Sequence, residues 1–288
     1  NNIYLTGHFK VSIDPPGGGT LNPGPDGSVF ILKYDVDGNF VYANKLNGVD
    51  FYDGELTADY SGNLIFTSTF EDTINVGSQT YISSGEYDVV MIKYGSSGSM
   101  QWSLLSGGNN YEYVGITSAD ENNNIYFAGE FTSQNVTIGD SSVTLNDGDG
   151  NIFLAKLDPQ GTVQWTNSQA GSVSDSKPWL DVYCWPTSIK TTPDGFSYIK
   201  GWYNDSVAFS DTILTDKYNS NYNYFIGKFD PNGEAVWVRS IDEESYGFDY
   251  NQMDVDKNGN VYFGAEARDT IHFINGSEEY QYEPVGSY

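Results

Sequence analysis

The feature of this 288-residue chain that most restricts its fold is a ten-residue segment that occurs four times. In its clearest copy, at residues 228–237, it reads Lys-Phe-Asp-Pro-Asn-Gly-Glu-Ala-Val-Trp. Each copy keeps a lysine, a glycine and, at its end, a large aromatic residue. The lysines are Lys33, Lys93, Lys156 and Lys228, and the aromatic residues are Tyr42, Trp102, Trp165 and Trp237. Self-similarity at a fixed spacing indicates a solenoid, a propeller or an array of units.

A second marker, typified by Asn-Ile-Tyr-Phe at residues 124–127, alternates with the first and gives a period of about 61 residues. Its copies begin at Asn2, Asn63, Asn124, Phe196 and Asn260. One unit, residues 55–105, contains four strand patterns separated by turns with Asp or Gly at the first position and Gly at the fourth. The predicted strands are residues 55–59, 63–70, 88–94 and 100–105. The uninterrupted apolar run at 88–94 predicts a strand buried on both faces.

Four antiparallel strands per unit without helical periodicity predict an all-β fold, a β-propeller built from four-stranded antiparallel blades. The alternatives are a parallel β-helix and a row of immunoglobulin-like sandwiches, which need about 100 residues each. The predicted blades and partial blades are residues 1–54, 55–110, 111–175, 187–242 and 250–288. The two partial units duplicate each other, so we expect an incomplete section of a larger propeller within a longer polypeptide.

The charge of the chain excludes some classes of partner. Lys and Arg number 13 against 39 Asp and Glu, giving a formal net charge of −26. Such a surface repels nucleic acid backbones. No apolar run reaches the roughly 18 residues of a membrane-spanning helix, so we also expect no membrane insertion. The single cysteine, Cys184, permits no intrachain disulfide.

Two segments resemble the bacterial seven-bladed β-propeller repeat family. They read Asp-Lys-Asn-Gly-Asn-Val-Tyr-Phe at 256–263 and Asn-Ile-Phe-Leu-Ala-Lys-Leu-Asp-Pro-Gln-Gly-Thr-Val-Gln-Trp at 151–165. The resemblance extends over essentially the whole chain; Tyr42 in place of Trp and Phe196 in place of Asn depart from it. It implies a secreted or cell-surface bacterial protein, often a cargo of type IX secretion in Bacteroidota.

An insertion of about ten residues, within residues 168–186, is the predicted ligand site. It brings Trp179, Asp181, Tyr183 and Trp185 into a connection that is shorter in the sister units. Loops carry function more often than the scaffold that supports them, and exposed aromatic side chains suit a glycan or peptide surface. The alternative is that the insertion folds back over the blade edge. The repeated lysines and aromatic residues, in contrast, are interpreted as strand-end and inter-blade packing positions.

A calcium loop is predicted at Asp254, Asp256 and Asn258, which precede Gly259 at alternate positions. The alternative is ordinary turn chemistry, because the same segment fills the first hairpin of its repeat. Calcium is the only cofactor that the sequence suggests, and none is required by the predicted function.

Four Asp-Thr/Ser-apolar triplets resemble the O-glycosylation sequon of Bacteroidota. Their hydroxyl residues are Thr73, Ser206, Thr212 and Thr270. The alternative is that they are inherited repeat positions.

The sequence favours binding over catalysis. His8 and His272 are far apart in repeat position and have no adjacent nucleophile. We therefore predict a non-catalytic extracellular or cell-surface module for binding, adhesion or scaffolding. Its partners would be an extracellular glycan or protein, or a secretion or surface complex. The alternative is an extracellular enzyme on a propeller, either a quinoprotein-like oxidoreductase or a polysaccharide-active hydrolase or lyase.

Overall fold

The computed structural model describes residues 2–25, 27–47, 51–144, 151–172, 184–204, 206–217, 223–243, 252–264, 270–275 and 278–283. All regular structure in these ranges is β-strand, and every strand pairing is antiparallel. No helix in them is long and apolar enough to cross a membrane. The all-β prediction is confirmed.

The strands follow the predicted repeat. The first unit contributes three: β1 (Ile3–Phe9), β2 (Ser28–Tyr34) and β3 (Phe40–Asn47). The second contributes six: β4 (Phe51–Ala58), β5 (Leu64–Phe70), β6 (Thr73–Val76), β7 (Gln79–Ile82), β8 (Asp88–Tyr94) and β9 (Met100–Gly107). The predicted strand at 88–94 coincides with β8, which is buried along its whole length.

The third and fourth units repeat this order of six strands. The third contains β10 (Glu112–Ala119), β11 (Ile125–Phe131), β12 (Asn135–Ile138), β13 (Ser141–Thr144), β14 (Asn151–Leu157) and β15 (Val163–Ser172). The fourth contains β16 (Cys184–Thr191), β17 (Ser197–Tyr203), β18 (Ser206–Phe209), β19 (Thr212–Thr215), β20 (Asn223–Phe229) and β21 (Ala235–Glu243). The described ends of the insertion at 168–186 thus lie in β15 and β16.

In the described structure, the fifth unit contributes its first two strands and a hairpin. These are β22 (Gln252–Val255), β23 (Val261–Gly264), β24 (Ile271–Asn275) and β25 (Glu278–Tyr282). The strands β22 and β23 form a separate two-stranded sheet, whereas β24 and β25 belong to the sheet of the fourth unit.

The short hairpin that follows the second long strand of the third, fourth and fifth units joins the sheet of the unit before it, whereas β6 and β7 of the second unit form a separate two-stranded sheet. The sheet of the second unit has the order β4-β5-β8-β9-β12-β13, so that a hairpin of the third unit extends it. The sheets of the third and fourth units, β10-β11-β14-β15-β18-β19 and β16-β17-β20-β21-β24-β25, are extended in the same way. Each complete sheet therefore has the four predicted strands of its own unit and two from the next.

The sheets lie side by side with the first strand of each unit on the inside. The first strands of successive units contact one another: β4 with β10, β10 with β16, and β16 with β22. The core lies between neighbouring sheets, where Val89 and Met91 of one unit pack with Phe127 and Phe153 of the next. Burying both faces of each sheet against its neighbours stabilises the fold by excluding apolar surface from water. This arrangement is of the β-propeller type.

The repeated glycine and aromatic residue of the ten-residue segment meet across the boundary between units. A Cβ atom on Gly98 would lie 2.7 Å from Tyr42, one on Gly161 would lie 2.8 Å from Trp102, and one on Gly233 would lie 2.7 Å from Trp165. All three glycines have positive φ, which tight turns require and other residues adopt at a cost. The aromatic ring of one unit therefore rests on the turn glycine of the next, as the inter-blade packing interpretation predicts.

Hydrogen bonds reinforce the same boundary. Trp102 Nε1 donates to Pro159 O at 3.1 Å, and Trp165 Nε1 donates to Pro231 O at 3.2 Å. The repeated lysines approach the same turns, with Lys33 Nζ donating to Ser96 O at 2.6 Å. We call this combination of ring, turn glycine and turn carbonyl the inter-unit lock.

Candidate functional site

A row of five aromatic side chains lies where the first strands of the third and fourth units begin. We call it the aromatic row, and it consists of Tyr87, Tyr111, Tyr113, Trp185 and Trp202. The rings of Tyr111 and Tyr113 are stacked with centroids 5.7 Å apart and planes inclined by 4°. Tyr113 and Trp185 follow at 5.1 Å, and Trp185 and Trp202 at 6.0 Å. The row thus runs from the second unit to the fourth.

Backbone pairing explains why these side chains align. Tyr113 is the second residue of β10, and Trp185 is the second residue of β16, so equivalent positions in adjacent first strands bring their rings together. Trp202 is the cross-strand partner of Trp185. At the other end, Tyr87 and Tyr111 form a parallel bridge. Such cross-strand aromatic pairs are a normal stabilising unit of sheets.

The row is accessible to a ligand. Tyr111 has 38% of its surface exposed, and the other four rings are half-buried. Tyr113 and Trp185 are each stacked against a ring on both sides, whereas the ring of Tyr87 is tilted against its neighbours. Aromatic side chains with one face fixed and another accessible are enriched in protein interfaces.

Two buried carboxyl groups support the end of the row. Asp88 and Glu112 are both completely buried and lie close enough together to influence each other's pKa. Gly108 N donates to Glu112 Oε2 at 2.6 Å, and Ser84 N donates to Asp88 Oδ2 at 2.9 Å. Asp88 directly follows Tyr87, and Glu112 lies between Tyr111 and Tyr113. The carboxyl pair therefore joins the two segments that carry three of the five rings.

Burial controls the protonation of these acids. It raises the pKa of Glu112 to about 7, with Asp88 adding a smaller increase. Burial also raises the pKa of Asp88. Two carboxyls that share a buried site hold one proton between them, because the doubly charged state is penalised.

A third buried acid lies beneath the middle of the row. Glu130 is the cross-strand partner of Tyr113, and burial raises its pKa to about 8. The buried Cys184 thiol has a raised pKa through burial and, to a smaller extent, through Glu130. Glu130 is thus mainly protonated at neutral pH, and the support under Tyr113 is mostly uncharged.

Of the predicted ligand residues, Trp185 belongs to the aromatic row. Trp179, Asp181 and Tyr183 lie outside the described residues. The other four members of the row were missed by the sequence analysis. The signal that could have found one of them, Tyr113, is the recurring aromatic at the second position of the first strands, Tyr52, Tyr113 and Trp185.

The predicted calcium residues lie in and beside a repeated turn. Asp256 accepts hydrogen bonds from Asn258 N at 2.9 Å, Asn260 N at 2.9 Å and Asn260 Nδ2 at 2.8 Å. Asp35 makes the same three types of bond in the first unit, to Asp37 N, Asn39 N and Asn39 Nδ2. Within the described part of the chain no cluster of three or more His, Cys, Asp or Glu is placed to hold a metal. The geometry of Asp256 matches the turn alternative, and calcium binding stays a prediction.

The predicted glycosylation residues lie at the starts of the crossing hairpins. Thr73 begins β6 and is exposed, whereas Ser206 begins β18 and is half-buried. Thr212 begins β19, and Thr270 directly precedes β24, both half-buried. Two of the aspartates in these triplets, Asp205 and Asp269, lie outside the described residues. Modification at these sites stays a prediction.

Comparison with known proteins agrees with the fold. No protein-family model matches the chain. An uncharacterised WD repeat-containing protein of Acanthamoeba polyphaga mimivirus is 25% identical over an alignment that covers 84% of this chain and 21% of that protein. The chain thus spans about a fifth of the length of this relative. The similarity and the all-β structure together define a β-propeller-type repeat protein.

Proposed function

We propose that this chain is a non-catalytic binding and scaffolding section of a β-propeller, and that it binds a protein segment at the aromatic row. The single observation that carries the proposal is the continuous row of five accessible rings, four of them stacked, contributed by three successive units. Rigid aromatic side chains bury a large area at a small cost in conformational entropy, and they dominate protein interfaces for that reason.

The orientation of the rings favours a protein segment over a glycan. Sugars stack on the open faces of aromatic rings, whereas the inner rings of this row already use their faces on each other. Apolar side chains of a peptide can pack against the row. The net charge of −26 and the proximity of Glu86 to Tyr113 favour a partner segment with positive charge.

The buried acids support binding over catalysis. Asp88, Glu112 and Glu130 are the carboxyl groups near the row with raised pKa values, which in other settings indicate a catalytic site. Each is at least 99% buried, however, so none can contact a substrate in this conformation. Their positions suit a structural role beneath the binding surface.

Peptides selected from a random library on the wild-type protein test the proposal. We expect Tyr111→Ala and Trp185→Ala to weaken their binding roughly tenfold or more, as loss of an interface anchor does. Tyr60→Ala is the matched control, since Tyr60 is an exposed tyrosine in the β4–β5 turn outside the row. Equal affinity of the wild type and both row variants would refute the proposal, and selective binding on a glycan array would favour the glycan alternative.

We further propose an extracellular or cell-surface location, in line with the resemblance to the bacterial seven-bladed repeat family. The acidic composition, the large number of half-exposed aromatic side chains and the single buried cysteine are compatible with it. Fractionation of the source cells with immunodetection of this chain tests the location. Recovery in the cytosolic fraction alone would refute it.

A further inference from the structure

A polar cavity lies at the boundary between the second and third units, away from the aromatic row. Its volume is about 480 Å³, which is within the range of about 300–1,000 Å³ for small-molecule sites. One wall is β9 of the second unit. The other walls belong to the third unit and are the tip of the β12–β13 hairpin, at Gly139 and Asp140, and the turn at 160–162 that precedes β15.

The cavity occurs where a hydrogen bond of the neighbouring boundaries is missing. Two residues after the repeated aromatic residue, the first and third units have an asparagine. Asn44 Nδ2 donates to Gly98 O at 2.9 Å, and Asn167 Nδ2 donates to Asn232 O at 3.3 Å, so each asparagine reaches the turn of the next unit. The second unit has Leu104 at this position, and a leucine side chain cannot donate a hydrogen bond to the turn.

A shorter side chain also leaves space in the cavity. In the second unit, the Met100 side chain lies against the hairpin tip, and a Cβ atom built on Gly77 would be 2.6 Å from Met100 Cε. The equivalent residue of the third unit is Val163, whose Cγ2 is 3.8 Å from a Cβ atom built on Gly139. The replacement of methionine by valine therefore leaves volume between the hairpin tip and the turn.

Unused hydrogen-bonding groups surround this space. In the described structure, the carbonyl oxygens of Gln160 and Gly161 accept no hydrogen bond, and the side chains of Asp140, Ser141, Gln160 and Thr162 form none. The Asp140, Gln160 and Thr162 side chains are exposed, and Ser141 is half-buried. The set combines acceptors on the carboxylate and the carbonyls with hydroxyl and amide groups that both donate and accept.

A saccharide matches these groups better than an ion does. Each sugar hydroxyl donates one hydrogen bond and accepts others, so it can pair with carboxylate, carbonyl, amide and hydroxyl groups alike. Among the described residues that line the cavity there is no lysine, arginine or histidine to pair with an anion. An ammonium group only donates, and it would leave the hydroxyl and amide donors unpaired. Leu104, Leu105 and Val163 provide an apolar patch for the C–H groups of a sugar ring.

We propose that this cavity binds an uncharged mono- or disaccharide. Asp140 and the turn carbonyls of Gln160 and Gly161 accept hydrogen bonds from its hydroxyl groups. The sugar thus provides the donors that an asparagine side chain provides at the neighbouring boundaries. The inference does not depend on the aromatic row, with which the cavity shares no residue.

Saturation-transfer NMR with the full 288-residue chain tests the proposal. The probes are glucose, galactose, mannose, N-acetylglucosamine, maltose and lactose, and at least one should show saturable binding in roughly the millimolar range. Val163→Met introduces the residue that the second unit has at this position, fills the cavity, and should weaken binding roughly tenfold or more. Asp140→Asn removes the charged acceptor and should weaken binding roughly fivefold.

Asp211→Asn is the matched control, because Asp211 is the exposed residue at the same position of the β18–β19 hairpin, and it should leave the affinity unchanged. An unchanged thermal midpoint shows that each variant is folded, and Asp140→Asn decides the test if Val163→Met is not.

Absence of saturable binding with all of these sugars would overturn the proposal, as would equal affinity of the wild type, Val163→Met and Asp140→Asn. Sugar binding that is lost in Trp185→Ala but kept in Val163→Met would overturn it in favour of a sugar site at the aromatic row. Sugar binding that is lost in Val163→Met and kept in Trp185→Ala supports the cavity and leaves the peptide site at the aromatic row to its own test.

Discussion

At the scale of single residues, the repeated ten-residue segment is explained by contacts between units. Glycine is required at its turn position for two reasons. The turn needs a positive φ, and the aromatic ring of the preceding unit lies on the residue. The lysine of the segment is buried in the first two units and half-buried in the third and fourth. Lys93 forms an ion pair with Asp59 at 3.0 Å, whereas Lys156 and Lys228 lie over the rings of Tyr126 and Phe196. The lysine was interpreted from the sequence as a strand-end position, and the structure adds that it fills the boundary between units.

Substitutions at two of the glycines separate the effect of the positive φ from the effect of the ring contact. Gly161 and Gly38 have similar φ values of 87° and 81°, but only Gly161 carries an aromatic ring. We expect Gly38→Ala to cost about 1–2 kcal/mol through backbone strain alone. Gly161→Ala should cost a further 1–3 kcal/mol or so, because the added Cβ collides with Trp102. Urea unfolding of both variants measures the difference.

The comparison of Gly161→Ala with Gly38→Ala has one control and one outcome that would contradict it. Gly62→Ala, also at positive φ and in open space, should behave like Gly38→Ala. Equal destabilisation by the substitutions at Gly161 and Gly38 would mean that the inter-unit lock contributes little to stability.

At the scale of elements, the crossing hairpins couple each unit to the one before it. In β12, Val136 and Ile138 are fully buried and pack with residues of both the second and the third unit. The hairpin also pairs with β9 of the second unit. A substitution in the hairpin should therefore lower the stability of two sheets.

Val136→Ala tests this coupling by hydrogen exchange. We expect a loss of about 1–2.5 kcal/mol, in the range for removing buried methyl groups. Amide protection should fall in β8 and β9 of the second unit as well as in β11 and β14. Ile213→Ala, at an exposed position of the equivalent hairpin strand β19, is the control and should change neither. Faster exchange confined to the third unit would contradict the coupling.

Two buried glutamates near the aromatic row predict an unusual dependence of stability on pH. Glu112 and Glu130 have folded-state pKa values of about 7 and about 8, raised from 4.5. Between about pH 4.5 and 8 the folded state thus binds more protons than the unfolded state. The free energy of unfolding therefore falls as pH rises through this window, by up to about 1.4 kcal/mol per pH unit for each proton.

Glu130→Gln removes the titrating group at position 130, so that one fewer proton is taken up on folding. The variant should show a flatter decline in stability between pH 5 and pH 8 and should be more stable than wild type at pH 8, because no charge has to be buried. Denaturant unfolding at several pH values measures this. Glu234→Gln, at an exposed turn, should keep the wild-type slope, and a Glu130→Gln curve parallel to that of wild type would rule out the assignment.

At the scale of the whole molecule, the charge of −26 opposes compaction through self-repulsion. Few attractive pairs offset this repulsion. Among the described residues they are one fully buried lysine–aspartate pair, one exposed lysine–glutamate pair and the contact between His272 and Glu279. We expect the thermal midpoint at pH 7 to rise when NaCl is increased from about 10 mM to about 300 mM, because the Debye length then shortens from about 30 Å to less than 10 Å.

Sucrose, which adds no ions, provides the comparison for the salt effect. It should raise the thermal midpoint equally at low and high NaCl, since it acts by exclusion from the protein surface. A midpoint that falls with NaCl would show that attractive ion pairs outweigh the repulsion.

The sequence by itself determined the repeat, the all-β fold and the positions of the long strands in a unit. It could do so because turn glycines, turn aspartates and apolar strand runs are local requirements of the backbone. The strand β8 coincides with its prediction, whereas β4 begins at Phe51, four residues before the predicted start, because Asp53 and Gly54 belong to an irregular stretch of an otherwise paired strand.

Only the tertiary structure decided which units share a sheet and which side chains form the site. The hairpin after Phe131 looks like part of its own unit, yet it pairs with the sheet before it, because the free edge of β9 lies there. The rings of Tyr87, Tyr113 and Trp202 come from separate segments of the chain, and no local pattern relates positions that far apart. The inter-unit lock and the aromatic row are products of packing between units, and packing depends on the whole fold.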